Sequence, residues 1–98
     1  MYLKIHENAE GRIVAVCDKD LIGKVFESKS LYLDLDKYRS FYIGELATEE
    51  MVKNALKRFT SVNIVGKKAV NVAVKNGLVG KDEIKYINKV PYIQVYKI

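Results

Sequence analysis

The chain is short of the residues that most often announce chemistry: 98 residues hold one cysteine, one histidine, one proline and no tryptophan. A single cysteine closes no internal disulfide, so the core alone must hold the fold, and such usage fits a reducing compartment. A cytoplasmic protein is therefore expected. Long apolar runs are missing too. The longest stretch without a charged side chain is Phe59–Gly66, eight residues, where a membrane-spanning helix needs about 20; no membrane partner is expected. The N-terminal "MYLKIHENAEGRIVAV" has no basic segment leading into a continuous apolar core, so no signal peptide is expected. Linker-like Gly/Ser runs, internal repeats and low-complexity segments are also lacking. That leaves one domain over residues 1–98, a length that buries about 60–65% of its unfolded surface.

The scarcity of His and Cys limits what the chain can catalyse or ligate. His6 and Cys17 are the one nucleophile–base pair to test, and such a pair must meet within about 3 Å. In a hairpin that pairs His6 near Arg12, Cys17 falls some four positions from His6, about 13 Å along the strand, and on the opposite face. The dyad fails; Cys17 is expected to be a small buried side chain and His6 a surface strand residue. One His, one Cys and scattered carboxylates show no zinc-type spacing, so no metal and no cofactor are implied. Asp18 and Asp20 in "CDKD" suit the capping of a turn. The glycines of "IGKVF", "VGKKAV" and "GLVG" do not form a P-loop or a dinucleotide fingerprint. A weaker expectation remains: amides after Gly66, with Lys67 and Lys68, could hold one phosphate group.

Acidic residues are scarce in one half only. Residues 1–50 carry seven Lys/Arg and ten Asp/Glu, whereas residues 51–98 carry ten Lys/Arg against Asp82 and Glu83 alone. The halves thus hold −3 and +8, which sum to the net +5. Such asymmetry implies a basic surface and an anionic partner.

The apolar pattern supplies the elements. Tyr2–His6 and Arg12–Cys17 alternate as two strands joined by "ENAEG", with the odd-numbered residues of both on the core face. "DKDLIGKVFES" suggests a short helical turn capped by Asp18 or Asp20. "LYLDLD" is a half-buried strand with Leu31, Leu33 and Leu35 inward. After a turn at Asp36–Lys37, "YRSFYIG" is expected to return as a strand broken by Gly44. Thr48 caps a helix over residues 48–60, whose stripe is Met51, Val52, Ala55, Leu56 and Phe59. "SVNIV" is a strand. In "GKKAVNVAVKNG", Asn76–Gly77 fits a hairpin or a helix end. Steps of about 100° favour a helix, because Lys67, Lys68, Asn71 and Lys75 then share one arc of about 100°. "KDEIKYIN" is a weak element of either type, and "PYIQVYKI" a final strand. This order implies an α+β fold: one two-layer domain, a mixed or antiparallel sheet with two main helices packed on one face.

Lys53, Lys57, Arg58, Lys67, Lys68 and Lys75 follow as the candidate basic face, with Tyr32, Tyr92 and Tyr96 as strand aromatics that could carry unstacked RNA bases. The expected role is a non-enzymatic RNA- or ribonucleoprotein-associated one. The alternatives are a protein-interaction module or homodimer pairing an open edge such as the C-terminal strand, and a small enzyme on an anionic metabolite.

Four runs in order, "VAVCDKDLIGKVFE", "FYIGE", "NIVGKKAV" and "VPYIQV", resemble an archaeal family of small proteins, domain of unknown function family 424. The resemblance spans nearly the whole chain. It implies a stand-alone two-layer α+β cytoplasmic protein without an assigned activity. The matching motif residues are Cys17, Asp18, Gly23, Lys24, Phe41, Tyr42, Gly44, Glu45, Asn63, Gly66 and Pro91; Lys67 and Lys68 lie outside the shared pattern.

Overall fold

The structure, a computed structural model, describes residues 1–97. Eight strands and three α-helices form in the order β1 (Tyr2–Asn8), β2 (Gly11–Cys17), β3 (Val25–Glu27), β4 (Tyr32–Asp34), α1 (Arg39–Tyr42), β5 (Glu45–Leu46), α2 (Glu49–Ala55), β6 (Ser61–Val65), α3 (Lys67–Lys75), β7 (Lys85–Ile87) and β8 (Val90–Tyr96). Six strands make one mixed sheet in the order β5-β1-β2-β6-β8-β7, in which β2 and β6 run parallel; β3 and β4 pair separately. The fold is α+β.

The sheet is covered on both faces. Val52, Ala55 and Phe59 from the α2 segment and Ala69, Val70, Val72 and Ala73 from α3 pack on Leu3, Val14, Val16, Val62, Ile64 and Ile93. The opposite face carries Ala15, Cys17 and Val65, closed over by Leu35 and Tyr42 with Phe26, Leu33 and Phe41 beside them. Residues 18–43 thus form a smaller second cover beneath the sheet.

Burial on both faces explains a register difference. The strands β1 and β2 meet through a two-residue turn at Ala9–Glu10, so His6 pairs with Ile13 and not with Arg12. Leu3 now shares a face with Val14 and Val16, while Ala15 and Cys17 take the other. Val14, Ala15, Val16 and Cys17 are all apolar and fully enclosed, so alternation within β2 cannot choose the face, and a one-residue slip exchanges the two.

Three other expectations change. "YRSFYIG" forms the single helical turn α1, because Phe41 and Tyr42 turn into the second core and Ile43 N–H donates to Arg39 O at 2.8 Å. The short helical turn expected after Cys17 forms as a 3-10 turn, Lys19–Leu21, but the rest of the run turns into β3. The expected helix over 48–60 stops at Leu56: the chain must turn so that Thr60 N–H reaches Arg12 O at 2.7 Å and β6 can enter beside β2. Lys57 and Arg58 therefore lie in a turn. The ambiguous α3 segment is helical. Gly77 (φ +73°) closes it, donating to Val74 O while Leu78 N–H reaches Ala73 O, a Schellman ending. "KDEIKYIN" supplies a 3-10 turn and β7, and β8 lies between β6 and β7, but β7 pairs only with Val90–Tyr92, so among the described residues Ile93–Tyr96 keep one open side.

Candidate functional site

At the junction of β6 and α3 the chain resolves a conflict of charge. Lys67 and Lys68 sit at the positive end of a helix dipole, which should disfavour them. Asp18, at the end of neighbouring β2, supplies the compensation. Its Oδ2 accepts the backbone N–H of Lys68 at 3.0 Å, and its Oδ1 that of Ala69 at 2.8 Å. Its own N–H donates to Val65 O at 3.0 Å, which locks β2 to the end of β6. Asp18 thus caps α3, fifty positions on in sequence, and makes no side-chain cap to its own 3-10 turn. Gly66 is the matching half. It adopts φ +109°, and a Cβ there would overlap the Asp18 carboxylate. The expected single phosphate at these amides is corrected by the same contacts, since two of the N–H groups already hold the protein's own anion.

Around this cap opens a cleft of about 420 Å³. Asp18, Lys24, Lys67, Lys68, Lys89 and Pro91 line it, together with Asp20 and Phe26. The four lysines are exposed, and among the described residues none is ion-paired within the chain. Lys89 projects from the β7–β8 turn, where Asn88 and Lys89 both take positive φ (49° and 68°). That turn is tied to the β3–β4 hairpin by the Asn88 side-chain amide, which donates to Glu27 O at 3.1 Å. A second depression of about 370 Å³ shares Lys67, Lys89 and Pro91 and adds Lys81 and Tyr86. Lysines therefore line the two depressions from Lys24 across the start of α3 to Lys81 and Lys89.

The six basic residues singled out in the sequence divide between places. Lys67 and Lys68 line the lysine cleft. Lys53 and Lys57 line a different one, of about 400 Å³, with Phe59, Gly77 and Lys97, and Lys97 Nζ lies 4.1 Å from the Phe59 ring centroid. Arg58 pairs with Glu7 at 3.1 Å and Lys75 with Glu49 at 3.4 Å. Lys24, Lys81 and Lys89 were missed as partners of Lys67, because they come from loops and turns that only the tertiary fold brings to α3. One signal was present in the sequence: Asp18, Lys24, Gly66 and Pro91 all belong to the motif runs.

The remaining motif residues are mainly architectural. Cys17 is enclosed, and its Sγ donates to Asp18 O at 3.4 Å. Burial, then the Asp18 and Asp20 carboxylates, push its thiol up to about 12, which holds it protonated at neutral pH. Burial likewise raises Tyr42 to about 12. His6, half-buried, donates Nε2–H to Phe41 O at 2.9 Å and stacks on the Phe41 ring at 4.6 Å. In the observed register His6 and Cys17 share a face, but four strand positions still separate them. Gly23 N–H donates to Leu35 O, Gly44 lies against the β1 backbone at Leu3, and Glu45 pairs with Leu3. Asn63 lies at the centre of β6 and lines a separate narrow cavity with Tyr42, Tyr92 and Gln94. Of the strand tyrosines, Tyr32 and Tyr96 are exposed and Tyr92 is half-buried. No helix among the described residues is long and apolar enough to cross a membrane.

Comparison with known proteins places this geometry among relatives. The profile of the family described as "Protein of unknown function (DUF424)" matches residues 5–98. The crystal structure of an uncharacterized conserved protein from Methanopyrus kandleri superposes with a TM-score of 0.81 at 28% sequence identity, covering 97% of this chain and 89% of that one. No curated protein matches.

Proposed function

The chain belongs to the DUF424 family, and from that premise we propose that it is a non-enzymatic RNA-associated protein that grips a strand's phosphates in the lysine cleft. One observation carries the reading: Lys24, Lys67, Lys68 and Lys89, from three separate segments, surround one cleft without ion-pairing partners among the described residues. The cleft also contains two carboxylates, but that of Asp18 is already committed to two backbone N–H groups. The local balance is therefore positive, and a phosphodiester is the anion that repeats along a groove. Tyr86 beside Lys81 and Lys89, and Phe26 in the cleft itself, add ring surfaces at its margins.

Each phosphate neutralised on a single strand contributes about −0.7 to the slope of log K against log salt. Four contacts give a slope of about −3, or roughly a fiftyfold loss of affinity between 50 and 200 mM salt. Anisotropy of a labelled single-stranded RNA across that range measures it. Substituting Lys24, Lys67, Lys68 and Lys89 together by Gln should flatten the slope and remove most binding, while Lys53→Gln with Lys57→Gln leaves the slope nearly unchanged. Absence of any binding at 50 mM salt would sink the proposal.

A further inference from the structure

Asn63 is out of place by the ordinary logic of strands. It stands in central β6, between Val62 and Ile64, flanked laterally by Ala15 of β2 and Gln94 of β8. Asparagine is a poor strand former, and a half-buried amide in such a site needs partners for its donors and acceptor. Among the described residues no side-chain or backbone group hydrogen-bonds to the amide of Asn63 or of Gln94. No fully enclosed side-chain polar atom is left unpartnered either. The half-buried Asn63 amide thus opens into the narrow cavity, and Gln94, beside it on β8 and exposed, lines the same cavity.

That cavity measures about 170 Å³. This is the space of about six waters, well below the ~300 Å³ at which drug-sized pockets begin. It suits one six-membered ring with its exocyclic groups. Tyr92 contributes an aromatic wall from the sheet, Leu31 and Leu33 border it from the β4 segment, and Tyr42 closes the end. A ligand for such walls is flat and apolar on its faces. A ligand for the two amides presents donors and acceptors together along one edge.

We propose that the Asn63–Gln94 cavity binds a pyrimidine base, uracil or cytosine, with its edge on the two amides and its face on Tyr92. Either base fits, because an amide offers both N–H donors and a carbonyl acceptor. A purine's second ring fills more of the same space. The cavity adjoins the lysine cleft: Val90 and Pro91 line the cleft, and Tyr92, the next residue of β8, lines the cavity. From Val90 to Tyr92 the strand advances about 7 Å, so a nucleotide whose phosphate lies among the lysines can place its base here. This deepens the RNA-binding reading and rests on it where the base is part of a strand; a free nucleoside carries the same ring.

The test uses the full chain and four probes: an oligouridine, an oligoadenosine, an abasic strand of equal length, and uridine alone. The abasic strand measures the phosphate grip by itself. Oligouridine should bind about tenfold tighter than the abasic strand, within the range for one stacked base, and tighter than oligoadenosine. Asn63→Val, which suits a strand, and Gln94→Thr, at an exposed position, should each reduce that advantage while leaving abasic binding unchanged. Equal binding of the oligouridine and abasic strands overturns the base site and leaves the lysine cleft standing. If no strand binds, the RNA reading fails. Uridine then decides: NMR shifts at the Asn63 and Gln94 side-chain amides support the site with a free nucleoside as its ligand, and their absence overturns it.

Discussion

Replacing Asp18 by alanine tests whether the end of β2 holds the start of α3. Asp18 is only 6% exposed, and its carboxylate accepts N–H groups at 3.0 and 2.8 Å. Losing a helix cap costs about 1 kcal/mol, and up to about 2. Two donors stranded in a largely closed site add roughly 1–3 kcal/mol. Asp18→Ala should therefore lose about 3 kcal/mol, and Asp18→Asn, which keeps an acceptor oxygen, about half as much. At this chain length 1 kcal/mol moves Tm by about 4–8 °C, so the alanine variant should melt about 12–24 °C lower. Urea unfolding at pH 7, followed by circular dichroism, gives the free energy directly. Asp20→Ala is the control: its carboxylate is exposed, and the change should stay within about 0.5 kcal/mol. If Asp18→Ala costs no more than the control, the capping argument is wrong. A double-mutant cycle sharpens the test. Gly66→Ala drives a Cβ into the Asp18 carboxylate, so it should cost less in the Asp18→Ala background than in the wild type. Additive costs would contradict the contact.

Three further outcomes follow from the cores and caps. The Cys17 thiol, raised to about 12 from 9.0, should resist a thiol reagent at pH 8 until the chain is unfolded, and rapid labelling of the folded protein would contradict its burial. The sign runs the same way for Cys17 and Tyr42: between about pH 9 and 12 the unfolded chain releases protons that the folded chain keeps, so their contribution to stability is constant below about pH 9 and is lost above it. Urea midpoints from pH 7 to 11 check this. Thr48 Oγ1 accepts Met51 N–H at 3.2 Å, so Thr48→Ala should cost about 1 kcal/mol, and a midpoint matching the wild type would deny the cap its role.

Local chemistry made much of the fold legible. The Thr48 cap with Glu49 and Glu50 behind it, the inward Leu33 and Leu35 (Leu31, expected with them, is exposed), and the lysine arc of α3 ending at Gly77 each depend on neighbours within one or two turns. "YRSFYIG" misled for the opposite reason. Its aromatic run has strand propensity, but the second core takes up Phe41 and Tyr42 from a helical turn, and packing overrides propensity. The candidate site was legible only in pieces. Asp18, Lys24, Gly66, Asn63 and Pro91 stand out as motif residues, yet nothing near any one of them in the chain states what it touches.

By itself, then, the sequence determined the fold class, the helix that starts at Thr48, and a second half too rich in lysine to be neutral. Those properties follow from composition and from spacings of a few residues. Only the tertiary structure decided which face of β2 is which, that the anion at the start of α3 is Asp18, and that Lys24 and Lys89 join Lys67 and Lys68. The reason is physical: β2 is apolar on both faces, so its register comes from a turn and from what covers it. The cap spans fifty positions and needs a glycine at 66 to let a carboxylate in. The lysines meet only because β2 and β6 lie parallel and the β3–β4 and β7–β8 hairpins close over their ends.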